Sequence, residues 1–191
     1  MNYAVSELEQ IGIRVGANSS IHKSVLFFNP EKIVIGHHVR IDCFSVLSAG
    51  DEGIMIGRNV HVAAASMVFG AGGRVVLSDF SALSARATLF TTTDDYSEGY
   101  LTNPTVPERY KKVRRGPIVL ERHALIGAAS VVLPGVTLAR GCTVGAMSLV
   151  HQNVGEYEVV FGIPFRVIGR RDPNKLQELE NAYLQGEGRV G

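Results

Sequence analysis

The chain of 191 residues contains only two cysteines, Cys43 and Cys142, and they form no C-x-x-C pair. This excludes a disulfide framework and a zinc knuckle, and it fits a reducing cytoplasm. The N-terminus lacks a basic region followed by an apolar core, so we expect no signal peptide. No apolar run approaches the roughly 18–20 residues that are needed to cross a bilayer. We therefore expect a cytoplasmic protein without membrane insertion.

The chain also has little net charge, because 19 basic residues balance 18 acidic ones. Because the charges are nearly balanced, there is no overall electrostatic reason for the chain to bind nucleic acid or an anionic membrane. Apolar residues make up 46% of the chain and charged residues 19%, which is ordinary for a globular protein. The length suits one domain with a full core. Any preference for anions must come from a local cluster.

An internal repeat of six residues organises most of the sequence. Two places before most repeat positions stands a small or β-branched residue, as at Val39, Ser66 and Ala87, and this alternation is typical of short strands. A helix would need apolar residues three and four apart, which these segments lack. The repeat positions are Val15, Ile21, Phe27, Ile35, Ile41, Leu47, Ile56, Val62, Val68, Leu77, Leu83, Leu89, Leu120, Ile126, Val132, Leu138, Val144 and Val150.

Short strands joined by corners every six residues predict an all-β fold, a triangular parallel β-helix of six stacked coils. The period breaks once on a large scale, because twenty-five extra residues separate Leu89 from Leu120. A loop that long in a compact domain is usually functional or disordered. The predicted organisation is an N-terminal cap at 1–13, a β-helix at 14–171 with an excursion loop at 91–117, and a C-terminal helix and tail at 172–191.

Capping signals support the C-terminal helix, with Asp172 as N-cap and Pro173 at the first helical position. We expect its apolar residues Leu176, Leu179 and Leu184 to pack on the last coil or on a neighbouring subunit.

Two stretches, "IVLERHALIGAASVVLPGVTLARGCTVGAMSLV" and "VVFGIPFRVIGRR", resemble the hexapeptide-repeat acyltransferases, above all the sugar acetyltransferases of bacterial surface-polysaccharide (O-antigen or capsule) clusters. The resemblance covers roughly residues 12 to 171. It implies a left-handed helix and a homotrimer with active sites between subunits. It also implies acetyl-coenzyme A as co-substrate, a sugar, amino-sugar or nucleotide-sugar acceptor, and no metal.

The resemblance places the coenzyme along the late coils and the chain end. The implied contacts are Gly127, Ala128, Gly145, Ala146, Gly162, Pro164, Arg166 and Arg170. Coenzyme A carries several phosphates, for which arginine offers a fork of donors. A second basic cluster closes the excursion, at Arg109, Lys111, Lys112, Arg114 and Arg115. Either cluster is equally explained as a solvated basic face.

The general base departs from the family pattern. Relatives carry a histidine after the coil that precedes the long loop, whereas "LFTTTDDYSEGYLTNP" places Asp94 there, followed by Asp95. A carboxylate with a pKa near 3.9 is a weaker base than an imidazole near 6.5. It would suffice if it were partly buried, if Asp95 raised its pKa, or if the acceptor were an amine. Tyr96 and Asn103 of the same stretch are candidate substrate contacts, and the alternative is a loop-capping role for both aspartates.

Two further residues are candidates in the early coils. Asp42 in "VRIDCFS" stands where the family has an asparagine that holds the acceptor, and a corner residue bonding the backbone is the alternative. His61 and His123 flank coils near the excursion, and we single out His61, ahead of His123, as a base or as its orienting partner.

Three other functions are alternatives for such a solenoid, and the sequence counts against the first. A zinc enzyme of the γ-carbonic anhydrase type needs two histidines five residues apart, and the chain has no such pair. A non-catalytic solenoid that has lost its histidine is the second. A serine acetyltransferase is the third, although those enzymes have a long helical domain before the solenoid and coils begin here by Val15.

Overall fold

The computed structural model describes residues 1–187, so the last four residues of the predicted tail lie outside the described part of the chain. Three parallel sheets form the faces of a triangular prism. The chain adds strands to these sheets in turn, so that each circuit adds one strand to each sheet. The first strand of sheet 1 is Arg14–Val15, that of sheet 2 is Ser20–Ile21 and that of sheet 3 is Leu26–Phe28. Six complete coils stack in this way, and a partial seventh begins where Val154 pairs with Leu138.

The strands are two to six residues long. The first four coils are β1 (Arg14–Val15), β2 (Ser20–Ile21), β3 (Leu26–Phe28), β4 (Ile33–Ile35), β5 (Arg40–Ile41), β6 (Val46–Ala49), β7 (Ile54–Ile56), β8 (His61–Val62), β9 (Met67–Gly70), β10 (Val75–Leu77), β11 (Ala82–Leu83) and β12 (Thr88–Phe90). The excursion carries β13 (Thr92–Asp94) and β14 (Val113–Arg115). The later coils are β15 (Ile118–Leu120), β16 (Leu125–Ile126), β17 (Val131–Val132), β18 (Thr137–Leu138), β19 (Thr143–Val144), β20 (Leu149–Val150), β21 (Glu158–Gly162) and β22 (Phe165–Arg170). The helices are α1 (Val5–Gln10) and α2 (Pro173–Glu187), and 3-10 turns occur at Pro30–Lys32 and Glu108–Tyr110.

The predicted repeat positions fill the axis of the prism. Leu47, Val62 and Leu89 are fully buried, and their neighbours in the chain face outward. Val15 and Phe27 are only partly buried because the first coil has a neighbour on one side alone. The α1 helix covers that end with the buried side chain of Leu8.

A buried serine at one corner lacks a hydrogen-bond partner. Ser81 is 1% exposed, and its Oγ has no partner in the part of the chain that the structure describes. The coils on either side carry Val60 and Ala124 at this place. Ser66, also buried, instead donates its Oγ–H to the Ser84 carbonyl oxygen at 3.1 Å.

We therefore expect opposite effects from two serine-to-alanine changes. Ser81→Ala should raise the free energy of unfolding by about 1 kcal/mol, because it removes a buried polar group without a partner. Ser66→Ala should lower it by about 1 kcal/mol, because it removes a hydrogen bond that is made. Urea denaturation of both variants checks this, and a loss of stability in Ser81→Ala would contradict it.

The predicted excursion leaves the corner between sheet 3 and sheet 1 and is not an unstructured loop. Strands β13 and β14 pair antiparallel, with Thr93 opposite Arg114, and raise a hairpin from the prism. The coils on either side of this hairpin keep their register, since Leu77 pairs with Leu120 directly.

The C-terminal helix lies over the corner between sheet 1 and sheet 2. Asp172 caps it as predicted, with Oδ1 accepting the backbone N–H groups of Asn174 and Lys175. Leu179 is 55% exposed on the single chain, so the alternative that it packs on a neighbouring subunit stays a prediction. The contact includes the buried side chain of Glu180, which reaches Arg122, and an edge-to-face pair of Phe80 and Tyr183 with ring centroids 5.8 Å apart. No helix among residues 1–187 is long and apolar enough to cross a membrane.

Candidate active site

One corner of the prism carries a column of small and polar residues. Each follows the sheet 2 strand of its coil and donates its backbone N–H to the coil above, for example from Asp42 to Val62 and from Ser84 to Ile126. At the usual spacing between strands of about 4.8 Å, the column extends roughly 19 Å along the prism. We call it the corner column, and it consists of Asp42, Ala63, Ser84, Gly127 and Gly145.

A carboxylate and an imidazole meet at the lower end of the corner column. His61 Nε2 lies 2.8 Å from Asp42 Oδ2, and Arg40 Nε donates to Asp42 Oδ1 at 2.7 Å. Burial acts to raise the pKa of Asp42, but the hydrogen bonds from His61 and Arg40 outweigh it and leave the pKa lowered. The side chain of His61 is 45% exposed, so its other ring nitrogen can face a ligand. The two residues that the sequence singled out separately thus form one pair.

Asp94 lies at a different corner, at the end of β13. Its Oδ2 accepts the backbone N–H of Asn103 at 3.0 Å, which fixes the carboxylate. It lines a cavity of about 670 Å³ between the hairpin and the outer face of sheet 3. We call this space the hairpin cavity, and it is lined by Phe69, Ala71, Phe90, Thr92, Thr93, Asp94, Pro104, Glu108, Lys111, Val113, Arg115, Val131 and Leu133.

Asp95 is held in hydrogen bonds within its own loop. Its Oδ1 accepts the backbone N–H and the hydroxyl of Ser97, at 2.9 and 2.7 Å, and Lys112 Nζ lies 3.3 Å from Oδ2. The hydrogen bond from the Ser97 hydroxyl, followed by its backbone N–H and by Lys112, lowers the pKa of Asp95 to about 2. This carboxylate is therefore an anion occupied by its own loop, which suits it to capping better than to accepting a proton.

The two other candidates on the excursion lie near Asp94 in sequence and differ in role. Tyr96 is 83% exposed and is not among the residues that line the cavity. Asn103 contributes its backbone to Asp94, while its side-chain Oδ1 accepts the N–H and the hydroxyl of Thr105. Asn103 thus acts through its backbone on the position of Asp94.

The predicted coenzyme contacts line the upper part of the corner column and the hairpin that follows. A Cβ on Gly127 would come within 2.5 Å of the Ala146 nitrogen, so these coils meet closely only because glycine stands there. Ala128 and Ala146 are exposed beside it. This gives a smooth surface along which an extended ligand can lie.

The chain end adds positive charge to this surface. Gly162 has a φ of +105° and opens the turn with Pro164 that joins β21 to β22. Arg166 and Arg170 are exposed on β22, and Arg170 is held by the Glu156 carbonyl at 2.9 Å. That these two arginines meet the coenzyme phosphates stays a prediction.

The candidate residues therefore divide between two corners that flank sheet 3. The corner column carries the Asp42–His61 pair and the candidate coenzyme surface, whereas Asp94 and the hairpin cavity belong to the other corner. Within residues 1–187 there is no group of three His, Cys, Asp or Glu side chains placed to hold a metal ion.

The sequence of this chain matches known proteins. The family model "Hexapeptide repeat of succinyl-transferase" matches residues 117–146. The chain is 37% identical over 178 residues, 93% of its length and 92% of the relative's, to a dTDP-4-amino-4,6-dideoxy-D-glucose acyltransferase of Escherichia coli. It is 24% identical over 88% of its length and 70% of the relative's to WbbJ of Escherichia coli K12, a putative lipopolysaccharide biosynthesis O-acetyl transferase.

Solved structures extend the similarity to the whole fold. The S84C variant of AntD, an N-acyltransferase from Bacillus cereus, was solved with dTDP-4-amino-4,6-dideoxyglucose and coenzyme A; it matches with a TM-score of 0.91 and 37% identity over 97% of both chains. The D94N variant of AntD, solved with dTDP and coenzyme A, matches with a TM-score of 0.90 and 36% identity over 97% of this chain and 98% of the other.

These variants draw attention to a residue that the sequence analysis did not single out. This chain carries serine at 84 and aspartate at 94, and Ser84 lies in the corner column. The sequence signal that could have pointed to Ser84 was a polar residue between small neighbours at the candidate coenzyme surface. With the coil architecture and relatives that match across nearly its full length, the chain belongs to the left-handed β-helix, hexapeptide-repeat acyltransferases, and it is a sugar acyltransferase that uses a coenzyme A thioester.

Proposed function

We propose that this protein transfers an acyl group, such as acetyl, from coenzyme A to the amino group of a nucleotide-linked amino sugar destined for a surface polysaccharide. The observation that carries the proposal is an aspartate at position 94, where the family pattern has a histidine, in a chain that is 37% identical to an N-acyltransferase solved with such a sugar. Two free cysteines, one of them buried, fit a reducing cytoplasm.

An amine acceptor explains why a carboxylate suffices. A hydroxyl must lose its proton as it attacks, and that step favours a base whose pKa lies near the working pH. A neutral amine attacks with its lone pair and becomes strongly acidic only as the new bond forms. Asp94, fixed by the Asn103 N–H and open to the hairpin cavity, can take the proton at that stage.

The proposed reaction proceeds by direct transfer. The amine nitrogen attacks the thioester carbonyl carbon and forms the C–N bond, while Asp94 accepts a proton from the nitrogen. Ser84 Oγ accepts a hydrogen bond from the amine and directs its lone pair at the thioester. Collapse of the tetrahedral intermediate breaks the C–S bond, and the leaving thiolate takes the proton from Asp94.

A complete site in this proposal needs a second copy of the chain. Asp94 and the corner column lie at different corners of one prism, so the hairpin of one subunit would meet the corner column of the next. This arrangement agrees with the homotrimer that the family resemblance implies. Sedimentation equilibrium tests the stoichiometry, and an active monomer would exclude an intersubunit site.

A hydroxyl acceptor is the second candidate, and the Asp42–His61 pair favours it. An imidazole whose Nε2 contacts a carboxylate at 2.8 Å is a typical oriented base. In this alternative His61 deprotonates a sugar hydroxyl, and Asp94 only holds the acceptor.

A free-thiol release assay decides between the two. Purified protein and acetyl-coenzyme A, or a longer acyl-coenzyme A, are offered to sugars, amino sugars and nucleotide-linked amino sugars. Turnover restricted to nucleotide-linked amino sugars supports the proposal, and turnover with hydroxyl acceptors alone would refute it. A thermal shift with coenzyme A but no turnover on any acceptor would count against both.

A further inference from the structure

We infer that the hairpin cavity holds the nucleoside diphosphate part of the acceptor, with the base against Phe69 and Phe90 and the phosphates on Lys111 and Arg115. The inference rests on the proposed function, because it assigns the part of the substrate that does not react. It concerns residues that the family resemblance did not mark as substrate contacts.

The inner wall of the cavity is apolar and aromatic. Phe69 and Phe90 lie on neighbouring strands of sheet 3, with ring centroids 5.2 Å apart and planes 12° apart. Val131 and Leu133 extend this wall on the next coil. Nucleobases stack on aromatic side chains, and because every base has a π-face, this contact depends little on which base is bound.

The outer wall carries two cations that share one carboxylate. Lys111 has a side chain that is 7% exposed, and its Nζ lies 3.6 Å from Glu108 Oε1. Arg115 Nη2 donates to both oxygens of Glu108 at 3.2 Å. One acid at that distance is too far for a hydrogen bond to the Lys111 ammonium, whereas phosphate oxygens would hydrogen-bond to both cations.

Glu108 occupies the position that a phosphate would take. Its side chain is 67% exposed, so it can swing into solvent when a diphosphate arrives. Its negative charge then opposes the ligand, although it stabilises the cations while the cavity is empty. The carboxylate and the lysine therefore have opposite effects on nucleotide affinity, which a purely structural role would not produce.

The size and position of the cavity agree with this assignment. Its volume of about 670 Å³ falls within the range of small-molecule sites, about 300–1,000 Å³. Asp94 lines the same cavity, so a sugar joined to the bound phosphates would bring its amine close to that carboxylate.

Calorimetric titration of the full-length protein with dTDP tests the inference. Lys111→Gln should weaken binding by about tenfold or more, because a charge-assisted hydrogen bond is lost. Phe90→Leu, which keeps an apolar wall, should weaken it by at least about fivefold. Glu108→Gln should strengthen it. Arg114→Gln is the matched control, since Arg114 is exposed on the same hairpin outside the cavity lining, and coenzyme A affinity should stay constant in all four variants.

The results separate this inference from the proposed function. Weaker binding in Glu108→Gln, equal affinities in Lys111→Gln and Arg114→Gln, or no binding of dTDP at millimolar concentration would overturn it. Turnover of nucleotide-linked amino sugars with unchanged affinities in every variant would overturn the cavity assignment and keep the function. If the affinities for dTDP follow the predicted pattern but no amine is acylated, the cavity assignment would be supported and the proposed N-acyl transfer would be refuted.

Discussion

Asp94→Asn should lower kcat for acyl transfer at least tenfold, and general-base catalysis typically contributes about 10²–10⁴-fold. Asparagine keeps the size of the side chain, and its oxygen can still accept the Asn103 N–H, but it cannot take a proton from the acceptor. The acceptor should therefore still bind while the chemical step slows. Thiol release at saturating acceptor gives kcat, and dTDP titration reports binding.

The matched control is Glu98→Gln, which removes a carboxylate from the same excursion. Glu98 pairs with Lys112 at 2.6 Å and does not line the hairpin cavity, so its loss should leave kcat near that of the wild type. An Asp94→Asn variant with unchanged turnover would remove Asp94 from the mechanism. His61→Gln would then be the next variant, because His61 has the other oriented base position.

Glu180→Gln should lower the free energy of unfolding by about 2–3 kcal/mol. The carboxylate, with a side chain 4% exposed, contacts Arg122, His123 and Arg140, and the change removes its charge from all three, although Arg122 keeps its ion pair with Asp79 at 2.8 Å. Removing one partner of a fully buried pair typically costs about 3–5 kcal/mol. We expect less because the Arg122 side chain is 29% exposed and keeps part of its hydration. Urea denaturation at a fixed protein concentration measures the difference.

The pH dependence of this difference gives a second test. The hydrogen bond from Arg122 lowers the pKa of Glu180 from 4.5 to about 2. Because the folded-state pKa is the lower one, the stabilisation is complete above about pH 4.5 and is lost as the pH falls toward 2. The gap between wild type and Glu180→Gln should close over that interval. Glu178→Gln, which loses only an exposed pair with Lys175, should show no comparable gap at neutral pH.

The sequence predicted the solenoid well because its signal is repeated and local. Every coil needs an aliphatic residue at the axis, as at Leu47 and Leu89, so one period specifies strand, corner and stacking together. The excursion was equally visible as a break in that period. Its hairpin was not, because the pairing of Thr93 with Arg114 joins residues that no repeat relates.

The sequence predicted individual residues of the candidate site, but it did not predict the contacts between them. Asp42 and His61 were each singled out, but their hydrogen bond depends on the side-chain directions of two adjacent coils. The contact of Glu180 with Arg122 spans 58 residues and required the position of the C-terminal helix. Ser84 and the Phe69–Phe90 wall had no counterpart in the motifs that pointed to the family.

The unbroken register beneath the hairpin has a consequence for the history of such enzymes. Because Leu77 pairs with Leu120 as if the inserted residues were absent, the register of the coils does not depend on what the insertion contains. Doubling the length of a flexible loop costs only about 0.6 kcal/mol of closure entropy. Insertions, deletions and exchanges in this segment are thus nearly neutral for folding, while they reshape the wall that the acceptor meets. Related enzymes can therefore differ in the acceptor that they bind by differing in this one excursion, while their coils stay the same.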